Sequence, residues 1–226
     1  MGPYLYKYPR PAATVDLAVF ALTGEEIRVL MVRRKNEPFA GRWALPGGYV
    51  EIEEPLEAAA RRELKEETGL EIEGPVEFFG VFGRPGRDPR GRTISIAHAA
   101  VVRPPLPRVR GSDDAAGARW IARDEATGLA FDHDEMLESA FRWLRDRTRD
   151  GPAGLGILKS VFRAADVARL HRAVFGDDSG AAAWAGRMQA RHLIGPVEGR
   201  RGSFESGPPG RHPARYATPF RDPSAP

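Results

Sequence analysis

Residues 48–70 read GYVEIEEPLEAAARRELKEETGL, and this stretch carries most of the information in the chain. Glu53 and Glu54 followed by Pro55 mark a helix start. Carboxylates suit the positive end of the helix dipole, and proline suits the first helical position. Gly69 stands where a left-handed residue ends a helix. Between them Ala58, Ala59, Ala60, Leu64, Lys65 and Glu66 are strong helix formers. Projected at about 100° per residue, Leu56, Ala59, Ala60 and Leu64 share one face with Glu63, Glu66 and Glu67, while Arg61 and Lys65 point away. The core-facing stripe thus begins apolar and turns acidic. Buried, unpaired carboxylates are costly and tend to take up protons. Clusters of oxygen donors suit hard divalent cations, Mg²⁺ above all. A solvated acidic face with Arg62 and Lys65 as salt-bridge partners is the plainer alternative. Spacing, flanking glycines and facing direction together argue against it.

Gly48, Glu54, Arg62, Glu63, Leu64, Glu66, Glu67, Gly69 and Leu70 occupy the defined positions of the Nudix box. The chain therefore resembles the Nudix hydrolases, which cleave nucleoside diphosphates linked to another group. The resemblance runs from about Val15 to Arg147 and implies an α/β/α sandwich around a mixed sheet. It also implies that Glu63, Glu66 and Glu67, with the carbonyl of Gly47, bind Mg²⁺, with Mn²⁺ as a substitute. Glu63 is alternatively the general base. Arg62 completes the candidate catalytic set by holding glutamate carboxylates in place, Glu54 being its nearest candidate partner. A base from a later loop stays open, with Glu125 and Glu135 as the acidic candidates. Glu135 is already explained as the second half of a capping box with Asp132.

The chain has 226 residues, enough for one generous domain or two small ones, and its hydrophobic content of 42% supplies a core. It has no cysteine, which excludes disulfides and thiolate metal sites. The N-terminal MGPYLYKYPRP lacks the apolar run of a signal peptide, and no segment has the length of a membrane span. A soluble, cytoplasmic protein without membrane contact is expected. Net charge is +3. From Gly151 onward eleven Lys and Arg face six Asp and Glu, so the basic excess lies in the C-terminal third and suggests an acidic partner there.

Residues 1–150 read as the Nudix domain. Ala13–Leu22 and Ile27–Arg34 are apolar, β-branched strands joined as a hairpin through Thr23–Glu26. Trp43–Val50 reads as a third strand, with Pro46-Gly47-Gly48 bringing backbone close to the metal site. Val76–Gly83, Thr93–Val102 and Ala118–Ala122 complete the strands, and Asp132–Arg147 the second helix. The loop Arg84–Arg92 is rich in Gly, Pro and Asp, as an ordinary turn would be. Similar loops occur in Nudix proteins that hydrolyse ADP-ribose, and Arg84 and Arg92 are candidates to clamp a pyrophosphate bidentately. Arg33 and Arg34, at the end of the second strand, are further phosphate candidates. Phe39 and Trp43 are placed to stack on a base, Trp43 also being a candidate core residue. The five histidines, at 98, 133, 171, 192 and 212, lack metal-ligand spacing and receive no role. No P-loop, Ser–His pair or dinucleotide-binding glycine pattern is present.

A Gly/Pro break at 151–154 precedes a second unit over 155–220, with 221–226 as a flexible tail. Ala164–Phe175 and Ala181–His192 read as helices, the second capped by Ser179. Leu193–Val197 and Tyr216–Phe220 read as short strands around an Arg/Gly/Pro-rich loop. This winged-helix-like outline behind a Nudix domain is similar to the Nudix-related transcriptional regulators of NAD metabolism. In those proteins the appended domain binds DNA and ADP-ribose acts as effector. Many of them carry damaged Nudix boxes; this chain does not. The reading helix would offer Arg187 and Arg191, and the wing Arg200 and Arg201, together with Arg211 and Arg215. The sequence thus points first to a Mg²⁺-dependent pyrophosphohydrolase of ADP-ribose or a related nucleotide sugar. The other reading is an ADP-ribose-sensing DNA-binding regulator. A homodimer is the expected assembly, although no residue pattern fixes it.

Overall fold

The structure, a computed structural model, describes residues 7–111, 115–197 and 203–206. A seven-stranded mixed sheet forms its centre. β1 (Ala12–Thr23) runs through the middle. It pairs in parallel with β6 (Thr93–Val101), and antiparallel with β2 (Glu26–Arg34) near one end and β4 (Gly47–Tyr49) near the other. β3 (Trp43–Ala44) and β7 (Ala115–Ala122) extend the β2 side, and β5 (Glu77–Phe82) forms the edge beyond β6. The expected third strand, Trp43–Val50, is two short strands. Leu45-Pro46 leaves the ladder between them, because proline has no N–H to donate.

The two-residue period of β1 sorts its side chains onto two faces. Val15, Leu17, Val19 and Ala21 pack with Ala59, Ala60 and Leu64 of α1 (Leu56–Thr68). Ala18 and Phe20 turn the other way, towards Met136, Ala140, Phe141 and Leu144 of α2 (His133–Asp150). Pro55 caps α1 rather than opening it, one residue from the expected place, and Gly69 ends it in the left-handed conformation (φ 69°) as expected. Asp132 is the N-cap of α2, but its side chain makes no capping bond. Its carboxylate instead accepts from Arg87, so the expected capping box with Glu135 does not form.

The remaining described elements are α3 (Ala153–Ile157), β8 (Val161–Arg163), α4 (Ala164–Phe175), α5 (Ala181–Ala190), β9 (Ile194–Pro196) and β10 (Ser203–Ser206). β8, β10 and β9 form a three-stranded antiparallel sheet beside α4 and α5. Gly180, not Ser179, is the N-cap of α5. The expected strand at 216–220 and the tail 221–226 lie outside the described residues.

No gap separates this unit from the sandwich. Leu155, Ile157, Phe162, Leu170 and Trp184 belong to the same buried cluster as Phe141 and Leu144. The expected Gly/Pro break at 151–154 leads into α3, whose Leu155 and Ile157 are among those core residues. Gly156 is needed there because a methyl group in its place would collide with Val101 Cγ2. Gly156→Ala should cost about 1–3 kcal/mol through overpacking, lowering the thermal midpoint of the whole chain in a calorimetric scan. Among the described residues no helix is long and apolar enough to cross a membrane.

Candidate active site

Where β1 splits between β2 and β4, a cavity of about 140 Å³ opens. Complete small-molecule sites span roughly 300–1,000 Å³, so this one has room for a diphosphate rather than a whole nucleotide. Its lining mixes charges, with the carboxylates of Asp16, Glu67 and Asp88 beside the guanidiniums of Arg33, Arg34, Arg87 and Arg90.

The three carboxylates expected to bind metal stand on α1. Glu63 is only 14% exposed at its side chain, whereas Glu66 is 57% exposed and stands at the rim. Two of the three expected carboxylates therefore face inward. Arg62 lies between them. Its Nε and Nη2 donate to the two carboxylate oxygens of Glu54 at 3.0 and 2.6 Å, its Nη1 to Glu63 at 2.8 Å and Glu66 at 3.1 Å, and its Nη2 to the Tyr49 carbonyl at 3.0 Å. The arginine that sequence spacing paired with Glu54 makes that contact. The Arg62 bond holds the Glu54 carboxyl below the usual carboxylate range, and Glu54 in turn raises Arg62 further.

Burial raises the Glu63 carboxyl above its ordinary value, against the pull of Arg62. Glu67 is pushed further, to about 8, first by burial and then by the charges of Glu63 and Asp16. A hydrogen bond from Gly47 N–H at 3.0 Å pulls it the other way. Both glycines of the turn are required by close approach. A methyl at Gly48 would overlap the Glu63 carboxylate, and one at Gly47 would strike the Val15 carbonyl and Asp16.

The site thus brings together hard oxygen donors from Asp16, Glu63 and Glu67. That composition fits a divalent ion. As the side chains stand, no three His, Asp or Glu groups among the described residues form a metal cage. Glu63 and Glu66 are both turned to Arg62. A cation held by Glu67 would displace its proton below about pH 8, so Mn²⁺ affinity should then fall by up to about tenfold per pH unit between pH 8 and 6, as titration calorimetry would record. In the ion-free protein the sign is opposite. A carboxyl raised on folding stabilises at low pH and loses that contribution as pH rises through about 8, so the ion-free chain should melt lower at pH 8 than at pH 6.

Several site residues carried no sequence signal that was recognised. Asp16 is buried in β1, accepts from Ser95 Oγ and lies 3.5 Å from His133 Nε2. His133 Nδ1 accepts from Leu45 N–H at 2.9 Å, which places the ring proton on Nε2. Burial lowers this imidazole and keeps it neutral. One available signal was the acid interrupting the apolar run of β1.

Of the residues expected to bind substrate, Arg33 lines the cavity, with its Nε donating to the Gly41 carbonyl. Arg84 and Arg92 do not line it. Arg84 is exposed and lies 3.9 Å from Glu135, and Arg92 donates to the Gly83 carbonyl. The same loop instead places Arg87, Asp88 and Arg90 there. Asp88 is buried and grips Arg90 through Nε at 3.0 Å and Nη2 at 2.8 Å, leaving the guanidinium between the rings of Tyr49 and Phe131. Phe39 packs edge-on against Phe131 outside the cavity, and Trp43 lies against the core beneath Arg119. In α5, Arg187 and Arg191 donate to the carbonyls of Arg149 and Asp150, at the C-terminal end of α2. Arg200, Arg201, Arg211 and Arg215 lie outside the described residues.

The sandwich, its acidic helix and the glycine turn define a class. Residues 12–144 match the NUDIX domain family, and the chain belongs to that family. Its hydrolases act on diphosphate bonds and use divalent metal ions. The chain is similar, at 30% identity over 80% of its length and 73% of the relative's, to the ADPR responsive transcriptional repressor NtrR of Acinetobacter baylyi. It is 40% identical to the ADP-ribose pyrophosphatase of Methanocaldococcus jannaschii over 60% of this chain and 76% of that one. Among solved structures, a MutT/nudix family protein from Enterococcus faecalis superposes with a TM-score of 0.79 and 26% identity, covering 91% of this chain and 90% of the other.

Proposed function

We propose that the protein is a Mg²⁺-dependent pyrophosphohydrolase whose substrate is ADP-ribose or a closely related nucleoside diphosphate sugar. The observation carrying this reading is that one cavity is lined by both kinds of charge, carboxylates suited to a cation and arginines suited to phosphate. Glu63, Glu67 and the Gly47 carbonyl would hold the ion, with Glu66 at the rim. A bound divalent ion would neutralise charge on the phosphate oxygens and acidify a water molecule. Arg62 keeps Glu63 and Glu66 in place. Arg33, Arg34 and Arg90 face the diphosphate, and the Asp88 grip fixes Arg90 before substrate arrives, sparing the cost of ordering it.

Purified protein with Mg²⁺ should add water across the P–O–P bridge of ADP-ribose and release AMP and ribose 5-phosphate, identified by chromatography. A panel of nucleoside diphosphate compounds left intact would overturn the reading. A homodimer is proposed on the exposed Phe78 and Val81 of edge strand β5, with light scattering as the check.

A second reading, an ADP-ribose-sensing DNA-binding regulator with a winged-helix-like C-terminal unit, is favoured by the 80% of the chain that aligns with the repressor. Arg187 and Arg191 already serve the end of α2, which leaves α5 few groups for a DNA groove. A gel shift on the protein's own upstream DNA, with and without ADP-ribose, distinguishes the two.

A further inference from the structure

We propose that His133 is a positioning residue for the hydrolysis, a peg that holds the Leu45-Pro46-Gly47 turn in register with the acidic helix α1. The inference rests on the pyrophosphohydrolase reading.

Three consecutive residues of that turn are held by three different elements. Leu45 N–H donates to His133 Nδ1 of α2 at 2.9 Å, the Pro46 carbonyl accepts from Leu17 N–H of β1 at 2.8 Å, and Gly47 N–H donates to Glu67 of α1 at 3.0 Å. The last two bonds belong to the sheet and to the Nudix helix. The first is made by a side chain that the Nudix motif does not include. Without it, a buried N–H would lie unpaired beside a turn in which Pro46 offers no N–H of its own.

The imidazole is itself firmly placed. Its Nε2–H faces Asp16 Oδ1 at 3.5 Å, and the other Asp16 oxygen accepts from Ser95. Asp132, immediately before it, receives two-pronged donation from Arg87, whose side chain and that of Asp132 are each 4% exposed. Arg87 belongs to the loop that brings Arg90 to the cavity. His133 is therefore the joint at which the phosphate-facing loop, the first turn of α2 and the turn bearing Gly47 meet. Displacements of about 1 Å at such a point cost about 100-fold in rate, and partners behind metal ligands are worth about 10–100-fold in metal affinity or activity.

The test compares two variants. His133→Phe keeps a ring of similar volume but removes the acceptor. His133→Asn places a carbonyl oxygen near the position of Nδ1 and can still accept from Leu45. The phenylalanine variant should lose about 100-fold in kcat with KM for ADP-ribose within about threefold. It should also bind Mn²⁺ about tenfold more weakly and exchange the Leu45 amide faster in hydrogen–deuterium exchange. The asparagine variant should recover Leu45 protection and most of the Mn²⁺ affinity. Wild-type kcat and Mn²⁺ affinity in folded His133→Phe would overturn the proposal, as would Leu45 protection in His133→Asn without recovery of Mn²⁺ affinity. Should the phenylalanine variant fail to fold, His133→Ala against His133→Asn makes the same comparison. If wild-type protein leaves ADP-ribose intact, the functional reading fails, while amide exchange and Mn²⁺ affinity still decide the role of His133.

Discussion

Glu67→Gln is expected to leave the protein folded and to reduce kcat on ADP-ribose by about 100- to 1,000-fold, equivalent to a few kcal/mol of transition-state stabilisation. The side chain keeps its length, and the glutamine oxygen can still accept from Gly47 N–H, as the carboxylate does at 3.0 Å. What disappears is the charge that a cation would meet. The variant also removes a carboxyl that burial, and after it the charges of Glu63 and Asp16, push up to about 8. Ion-free Glu67→Gln should therefore melt no lower than the parent at pH 8, while its turnover collapses. A variant that melts normally and hydrolyses at the parental rate would remove Glu67 from the chemistry.

The largest expected effect on stability belongs to Asp132→Ala. Asp132 and Arg87 form a buried pair at 2.6 Å, and burial alone would lower the arginine if the carboxylate did not hold it protonated. Removing one partner strands the other charge, at a cost of about 3–5 kcal/mol. For a chain of this size that corresponds to a fall of roughly 6–20 °C in thermal midpoint. Replacing both, as Arg87→Met with Asp132→Leu, should restore most of the loss, because two apolar side chains leave no unpaired charge. Thermal melts of the parent, the single and the double variant test this directly. A single variant as stable as the parent would show that the pair contributes little to the fold.

The acidic helix was legible because its signals are local. Gly69, the glutamate spacing and the apolar stripe all act within about four turns, and α1, Arg62–Glu54 and the inward carboxylates followed from them. The sheet was legible for the same reason, since apolar, β-branched runs bounded by turn residues declare its longer strands. Long-range partners carried no such mark. Whether Arg84, Arg87, Arg90 or Arg92 enters the cavity depends on how the loop folds over α2. Arg87 finds Asp132 forty-five residues away, and Asp88 curls Arg90 back by an Asx-type turn. His133 looked idle because its partners, Leu45 and Asp16, lie on other elements. Asp132 illustrates the converse. A capping pattern was present in sequence, but a buried guanidinium bonds that carboxylate more strongly than a backbone amide would.

The hydrophobic cluster passes without interruption from Phe20 and Phe141 to Ile157, Phe162 and Trp184. A fragment ending near Asp150 would present that oily side of α2 to water and clump, however intact its catalytic motif. Anyone wanting the front half alone must first resurface α2 with polar side chains, and any evolutionary loss of the rear half would have required the same repair.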